Sequence, residues 1–171
     1  LAGDPLDRLL GEVQGDGVRE VLLRDLVDSL EAAATDDRIK VVVLRLEGLE
    51  AGGLPELKAV ARAIGKVRAA GKKVVALGDS YEQGQYYLAA QADEVYLNEL
   101  GMVYVDGFGY YRTFLKSVLD KLRIDINVFR VGEYKSFVEP FIRDDMSEDD
   151  KRASRQWLQS MWSAYQRDIV A

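Results

Sequence analysis

The segment IKVVVLRL, residues 39–46, carries the clearest structural signal in this chain of 171 residues. It is rich in β-branched residues and apolar at nearly every position, which predicts a strand buried on both faces. Before it, apolar residues recur at helical spacing over residues 21–33, and the polar residues 35–37 are predicted to end that helix. A helix is therefore expected to lead directly into a buried strand.

The same alternation continues on the C-terminal side of this strand. Pro55 suits the first turn of a second helix, and Gly71 is a favourable residue at which that helix ends. Residues 73–77 are predicted to form a second buried strand, followed by a helix over roughly residues 82–92. Two short strands are expected next, at residues 94–97 and 102–105.

The remainder of the chain continues with helical patterns. We predict a helix over residues 110–122, whose inward residues are Tyr111, Phe114, Leu115, Val118 and Leu122. A strand is predicted at residues 125–131. The sequence of residues 147–150, Ser-Glu-Asp-Asp, resembles a capping box that opens a long C-terminal helix. The apolar stripe of that helix is predicted at Ala153, Trp157, Met161 and Ala164.

The order of these elements predicts an α/β fold, in which helices cover a largely parallel sheet. No internal repeat and no linker interrupts the pattern, so a single domain over residues 1–171 is the simplest expectation. No apolar run approaches the roughly 20 residues that a membrane-spanning helix needs. The chain begins with Leu1 and not with Met, and we expect any membrane anchor to lie outside it.

Composition excludes several classes of function. The chain contains no histidine and no cysteine, which excludes Ser-His-Asp triads, thiol catalysis and the usual zinc sites. The net charge of −6 and the absence of a basic stripe argue against nucleic-acid binding. No dinucleotide or phosphate-loop motif occurs, and we expect neither a cofactor nor a metal. Any acid–base chemistry must therefore use Asp, Glu, Lys, Tyr or a group outside the chain.

Three loops that follow predicted strands are candidate sites, because ligands gather at the carboxyl ends of parallel strands. In the loop of residues 48–54, Gly52 and Gly53 could form an oxyanion hole, although an ordinary turn is the preferred interpretation. In the loop of residues 78–85, Ser80 stands where a nucleophile could lie, but a GxSxG motif is absent. A capping role for Ser80 or Asp79 is preferred there.

The third loop, residues 131–140, contains Lys135 between aromatic and apolar neighbours. Burial would lower the pKa of this amine and make it available as a base, whereas the alternative is an ordinary solvated lysine. The acidic run at residues 144–150 lacks the spacing of a calcium-binding loop. It is explained by the preference of acidic residues for the start of a helix.

Three stretches carry a resemblance to a known family. These are YEQGQYYLA at residues 81–89, VFRVGEYKS at residues 128–136 and VEPFIRDDMS at residues 138–147. Together they resemble the N-terminal half of the long-form signal peptide peptidase A family of serine–lysine peptidases. The similarity extends from about Asp4 to the end of the chain.

The resemblance implies a ClpP/crotonase-like fold of repeated ββα units. It also implies a Ser-Lys dyad in which Lys135 is the general base. By the same resemblance, the nucleophilic serine would belong to a C-terminal half of the same polypeptide, and Gln83 would occupy the matching position here. The residues around Gly52 and Gly53 look like the degenerate counterpart of an oxyanion-hole loop.

The same resemblance implies a place and partners for the protein. The substrates would be cleaved signal peptides, degraded by a homo-oligomer at the bacterial cytoplasmic membrane, with the catalytic domain on the periplasmic side. An anchor outside this chain would hold it there, and this half alone is expected to be inactive. Two alternatives remain open: a non-catalytic module for oligomerisation and substrate-groove shape, and an acyl-CoA enzyme on a related fold.

Overall fold

The computed structural model describes residues 21–49, 52–126 and 138–170. Their contacts divide into two compact units, one ending at Asp106 and resuming at Tyr165, the other running from Gly107 to Ala164. The single domain over residues 1–171 stays a prediction beside this division. None of the helices in the described ranges is both long and apolar enough to cross a bilayer.

The first unit alternates helices with strands, as the sequence predicts. Its elements in chain order are α1 (Leu23–Thr35), β1 (Val41–Arg45), α2 (Leu54–Ala69), β2 (Lys73–Gly78), β3 (Tyr81–Glu82), α3 (Gln83–Ala89), β4 (Glu94–Leu97) and β5 (Val103–Tyr104). Strands β1, β2 and β4 form one parallel sheet in that order, and β3 pairs with β5 in parallel. The predicted α/β fold with a parallel sheet is confirmed.

The core lies between the three-stranded sheet and helices α2 and α3. Val74 and Ala76 of β2 are fully buried on this face, opposite Ile64 and Val67 of α2. Pro55 stands in the first turn of α2, and Gly71 follows its C-terminus with φ +76. The predicted helix start and stop are therefore confirmed, and Gly71 supplies the left-handed conformation that other residues avoid.

The opposite face of the sheet is left open by the described residues, so the prediction that β1 is buried on both faces was wrong. Val41 and Val43 are 48% and 51% exposed, and the pattern along β1 alternates. The strand order β1-β2-β4 steps in one direction, and right-handed crossovers then place both connecting helices on the same face. An apolar sequence shows that a strand is suited to burial on both faces. Whether other elements cover the second face is decided by the rest of the fold.

The second unit contains α4 (Lys116–Leu122), α5 (Glu139–Ile142) and the first part of α6 (Glu148–Val170). The helix predicted over residues 110–122 begins only at Lys116, because the Asp144 carboxylate accepts the Ser117 amide at 2.9 Å and fixes the start there. Of the strand predicted at residues 125–131, Asp125 and Ile126 are irregular and the rest lies outside the described residues.

The inward face predicted for this helix was wrong for four of its five residues, and the fifth, Phe114, is half-buried. Tyr111, Val118 and Leu122 are 92%, 51% and 63% exposed, and Leu115 is 38% exposed. The spacing of apolar residues shows which side of the helix is apolar, but it does not determine whether that side packs against the rest of the unit. Here the start of α4 is held by the Ser117 amide and hydroxyl, which both donate to Asp144.

Helix α6 begins as predicted, with one difference in its cap. The Ser147 hydroxyl accepts the Asp150 amide at 3.2 Å, as a capping box requires. The Ser147 amide, however, donates to the Glu139 carboxylate at 3.0 Å, while Asp150 pairs with Arg112 at 3.0 Å. The predicted stripe was wrong for its first members, because Ala153 and Trp157 are exposed and Ser154 and Tyr165 are buried.

Candidate functional site

The loops that follow β1 and β2 lie together at the carboxyl end of the sheet, as the sequence predicts. The Gln85 side-chain amide donates to the Leu49 carbonyl at 3.2 Å, and Gly84 lies against the Leu57 side chain. Two of the three predicted candidate loops therefore share one edge of the first unit. The third, residues 131–140, is described only from Val138 onwards.

Helix α3 starts at Gln83, and its start is closed by a capping box that the sequence analysis missed. Glu82 is the N-cap, its carboxylate accepts the Gln85 amide, and the Gln85 side-chain oxygen accepts the Glu82 amide at 2.9 Å. The capping role predicted for Ser80 or Asp79 was wrong. Ser80 is exposed, and the Asp79 carboxylate accepts the Asn98 amide group at 3.2 Å.

The segment between β2 and α3 is held by Tyr81, which is 1% exposed. Its ring lies so close to the backbone at Gly78 that a Cβ there would be 2.7 Å from Cε1 of the ring. The Tyr81 hydroxyl donates to the Tyr96 carbonyl at 3.0 Å, and burial raises the pKa of this phenol. Gly78 is thus the residue that permits the close approach.

A second close approach fixes the same segment from the side of β5. At Gly101 a Cβ would lie 2.0 Å from the Asp79 carbonyl oxygen, a distance that no side chain can accept. The Tyr81 amide also donates to the Met102 carbonyl at 3.0 Å. The backbone that leads into Gln83 is therefore held by two close approaches, at Gly78 and Gly101, and by two hydrogen bonds from Tyr81.

The last turn of α6 anchors α3 from the other side. The Tyr165 hydroxyl donates to the Gln83 carbonyl at 3.1 Å, and the rings of Tyr165 and Tyr87 are 5.6 Å apart. The Tyr87 hydroxyl donates to Asp168 at 2.7 Å, and Lys58 pairs with the same carboxylate at 3.1 Å. Tyr87 is 1% exposed, so its ring packs in the core of the first unit.

Burial sets the ionisation of this tyrosine pair. It raises the pKa of Tyr165 to about 12 and raises the pKa of Tyr87 further above its ordinary range, where the hydrogen bond to Asp168 adds to the effect. For Asp168, burial opposes ionisation, but the hydrogen bonds from Tyr87 and Lys58 outweigh it and lower the pKa. Both phenols therefore act as neutral donors.

The loop with the paired glycines is a helix start. Gly53 is the N-cap of α2 with φ −68 and ψ 162, an extended conformation open to any residue, and its carbonyl accepts the Leu57 amide at 3.0 Å. Gly52 is exposed, and Ala51 lies outside the described residues. This geometry fits the interpretation as an ordinary turn that the sequence favoured.

Lys135 and Ser136 lie outside the described residues, so the role of Lys135 stays a prediction. The neighbouring VEPFIRDDMS block is described from Val138 and has a structural role that sequence reasoning missed. Glu139 is 9% exposed and accepts the Ser147 hydroxyl at 2.6 Å and the Ser147 amide at 3.0 Å. The Pro140 carbonyl accepts the Leu115 amide at 2.7 Å, so the block joins α4, α5 and α6.

The side chains of the acidic run at residues 144–150 form ion pairs and hydrogen bonds. Asp144 bonds Ser117, and Asp145 pairs with Arg143 at 3.1 Å. Glu148 and Asp149, in the first turn of α6, pair with basic residues one turn further on. Within the parts of the chain that the structure describes, no group of three or more acidic residues could hold a metal ion.

Comparison with known protein families decides which family these motifs belong to. The family model of peptidase family S49 matches residues 66–171, which include α3, the Lys135 segment and α6. The chain belongs to peptidase family S49. The fold of this S49 chain, a parallel sheet with helices between its strands, agrees with the ClpP-like fold of the family.

Three curated relatives are similar to this S49 chain. Protease 4 of Haemophilus influenzae is 44% identical over 157 residues, which are 91% of this chain and 26% of the relative. Protease 4 of Salmonella typhi is 39% identical over 166 residues, covering 97% of this chain and 27% of the relative. The chloroplastic serine protease SPPA of Arabidopsis thaliana is 26% identical over 141 residues, 82% of this chain and 21% of its own. The chain spans about a quarter of these relatives' length.

Proposed function

We propose that this S49 chain lies in the lysine-bearing half of a serine endopeptidase, in which Lys135 is the general base and a second unit of the same polypeptide supplies the serine. The S49 match and the relatives named as proteases support the peptidase activity. The residue types in the chain support the base, because without histidine an amine is the group best suited to accept a serine proton.

The observation that carries the proposal is the identity of the residue that opens α3. Gln83 stands at the first position of a helix whose start is fixed by a capping box, by Tyr81 and by Tyr165. Such a rigid strand-to-helix junction suits a nucleophile, yet a glutamine amide cannot form an acyl intermediate. This half therefore keeps the scaffold of a nucleophile site without the nucleophile.

The proposed chemistry balances with one lysine and one serine. The neutral Lys135 amine accepts the serine proton while the serine oxygen attacks the scissile carbonyl carbon. The protonated amine then donates to the leaving amine as the C–N bond breaks. In the second step the amine accepts a proton from water as it attacks the acyl ester, and the proton returns to the serine oxygen. Burial of Lys135 would lower its pKa and keep the amine neutral.

The substrates and setting follow from the resemblance. We propose that the complete enzyme degrades cleaved signal peptides at the bacterial cytoplasmic membrane, on the periplasmic side, as a homo-oligomer held by an anchor outside this chain. The proposal requires no metal, cofactor or nucleic acid.

A substitution in the full-length enzyme tests the base. We expect Lys135→Ala to reduce peptide cleavage at least 1000-fold, because loss of the base leaves the serine hydroxyl unactivated, an effect on the order of that for other catalytic bases. Lys135→Arg should be equally inactive, since a guanidinium does not deprotonate. Lys121→Ala, in α4 on an exposed part of the chain, is the control and should retain full activity.

The outcomes separate the proposal from its alternative. Retained cleavage by full-length Lys135→Ala would exclude this lysine as the base. If that variant also changed the oligomeric state, a role of this half in assembly would be favoured. The 171-residue chain by itself is expected to cleave no peptide, and measurable turnover by it would contradict the assignment of the serine to another unit.

A further inference from the structure

The face of the three-stranded sheet that points away from α2 and α3 is apolar at its centre. We call it the open sheet face, and the parallel register places on it Val41, Val43, Arg45, Lys73, Val75, Leu77, Glu94 and Tyr96. Of the apolar members, Val41, Val43, Leu77 and Tyr96 are 48%, 51%, 39% and 54% exposed.

A parallel sheet with one bare face is unusual. Parallel sheets occur almost entirely with both faces covered, and their strands are apolar on both sides for that reason. The two crossovers of this sheet have placed their helices on one face, so neither connection can supply the second layer. The valines of β1 on the open sheet face are thus suited to burial under a second layer, which the described residues do not provide.

The charged residues of the open sheet face lie at its rim and are paired, either with one another or with a neighbouring residue. Lys73 pairs with Glu94 at 2.6 Å, and the Tyr96 hydroxyl donates to Glu94 at 2.9 Å. Arg45 lies 3.7 Å from Glu47. An apolar centre with a charge-balanced rim is the anatomy of a protein–protein interface, and it offers no net charge to a nucleic acid or an anionic membrane.

We propose that the open sheet face is the surface on which the serine-bearing unit of the same polypeptide docks. This inference rests on the function proposed above, and it names the surface that the function needs. About three quarters of the length of the S49 relatives lies outside the part that this chain matches. A second α/β unit within that length would have both the size and the proximity to cover the face.

The size of the face favours a partner on the same polypeptide over a second copy. Three strands about 4.8 Å apart and five residues long at about 3.3 Å per residue span roughly 14 Å by 17 Å, or about 240 Å². A stable complex between separate proteins buries about 800 Å² on each partner. A linked unit needs far less area, because its effective concentration is on the order of millimolar.

Cysteine footprinting tests the proposal, since the 171 residues contain no cysteine. Val43→Cys places a thiol on the open sheet face, and Val95→Cys is the matched control. Val95 is also a strand valine, 43% exposed, but lies on the opposite face, in register with buried Ala76. Each variant is labelled with maleimide in the 171-residue chain and in the full-length polypeptide, and the peptide that carries the thiol is quantified by mass spectrometry.

In the 171-residue chain, we expect the thiol introduced at position 43 to react at a rate close to that of the thiol introduced at position 95. In the full-length polypeptide the labelling rate at position 43 should fall at least tenfold, while that at position 95 changes less than twofold. Equal reactivity in both contexts would overturn the proposal. Protection already present in dilute 171-residue chain would assign the face to another segment of this chain, and concentration-dependent protection would assign it to a second copy.

The labelling experiment does not depend on catalysis. A failure of the docking proposal can therefore be distinguished from a failure of the proposed function. Full-length Lys135→Ala with Val43→Cys should be protected as strongly as Val43→Cys alone. If cleavage survives Lys135→Ala while position 43 is protected, the docking surface stands and the base is misassigned. If cleavage is lost but position 43 stays reactive, the base stands and the serine-bearing unit docks elsewhere.

Discussion

At the scale of single residues, Glu139 links the motif that identifies the family to the stability of the second unit. Its carboxylate is buried and accepts two hydrogen bonds from Ser147. Burial opposes the charged form, but the two bonds outweigh it and hold the pKa of Glu139 below its ordinary value. Glu139, which belongs to the family motif at residues 138–147, thus also stabilises the start of α6.

Glu139→Gln should destabilise the chain by about 1–3 kcal/mol, because the charged acceptor of two bonds is replaced by a neutral amide. A group with a lowered pKa stabilises the fold above its unfolded value, about 4.3, and loses that contribution as the pH falls through the folded value. Urea unfolding at pH 7 and at pH 3 should therefore show a difference from the unsubstituted chain that shrinks in acid. Glu148→Gln, at an 83% exposed side chain, is the control with little effect.

Substitution of two glycines by alanine is predicted to change the stability in opposite directions. Gly101→Ala should cost about 1–3 kcal/mol, since its Cβ would meet the Asp79 carbonyl oxygen at 2.0 Å and the backbone would have to move. Gly65→Ala, in the middle of α2 with open space around the new Cβ, should stabilise by about 0.5–1 kcal/mol. Thermal unfolding of both variants checks this, and equal stability of the two would contradict the described packing of the β3–β5 segment.

At the scale of elements, the contact between the last turn of α6 and α3 determines how firmly the Gln83 position is held. The two helices are joined by the Tyr165 bond to the Gln83 carbonyl and by the Tyr87 bond to Asp168. The sequence shows α3 and α6 as separate segments, and the two residues of each contact are 82 and 81 positions apart. No local pattern announces that such distant segments meet.

Tyr165→Phe should destabilise the first unit by about 1–2 kcal/mol, because it removes the donor to the Gln83 carbonyl while leaving the ring in place. Hydrogen exchange of the α3 amides should quicken in this variant. Tyr104→Phe, at a 60% exposed tyrosine, is the control with unchanged exchange. Unchanged protection of α3 in Tyr165→Phe would show that α6 does not hold this helix.

The raised pKa of Tyr165 adds an alkaline prediction for the same contact. A tyrosine whose folded pKa exceeds its unfolded value of about 10 contributes stability that is complete below pH 10 and is lost as the pH rises through about 12. In Tyr165→Phe the loss of stability between pH 10 and pH 12 should be smaller than in the unsubstituted chain. Urea unfolding at these two pH values measures it.

At the scale of the whole molecule, the ionisable groups determine the pH range in which the fold is stable, and this range lies near neutral pH. The chain has no histidine, so no side chain with an ordinary pKa titrates between about pH 5 and pH 8. Below that range the fold depends most on Glu139 and Asp168, partly buried carboxylates whose pKa values are lowered by hydrogen bonds, and less on the more exposed Asp36, Asp93, Glu94 and Asp144.

We therefore expect stability to be nearly constant from pH 6 to pH 8 and to fall steeply below about pH 4. Each lowered carboxylate contributes stability above its unfolded pKa, which is lost as the pH drops through its folded value. Circular dichroism during an acid titration would show this. A loss of structure centred near pH 6 would contradict it, because the lowered pKa values of these carboxylates all lie below that pH.

The sequence by itself determined the α/β class, the bounds of most helices and strands in the first unit, and the peptidase family. These depend on local patterns: β-branched runs, helical spacing, Pro55 and Gly71 at helix ends, and long motifs near Gln83 and Lys135. Each of these patterns involves residues that are close to one another in the sequence. Backbone sterics and side-chain spacing act over the same short range, so such patterns can be interpreted without the tertiary structure.

Only the tertiary structure decided which apolar faces are covered. The row of Val118 and Leu122 on α4 and the open sheet face around Val43 both read as core in the sequence, yet both are exposed among the described residues. The cap at Glu82 and the role of Glu139 also depend on partners that the fold brings near. Hydrophobic burial is non-directional, so a sequence states that a face requires a partner, and the path of the whole chain decides whether that chain provides one.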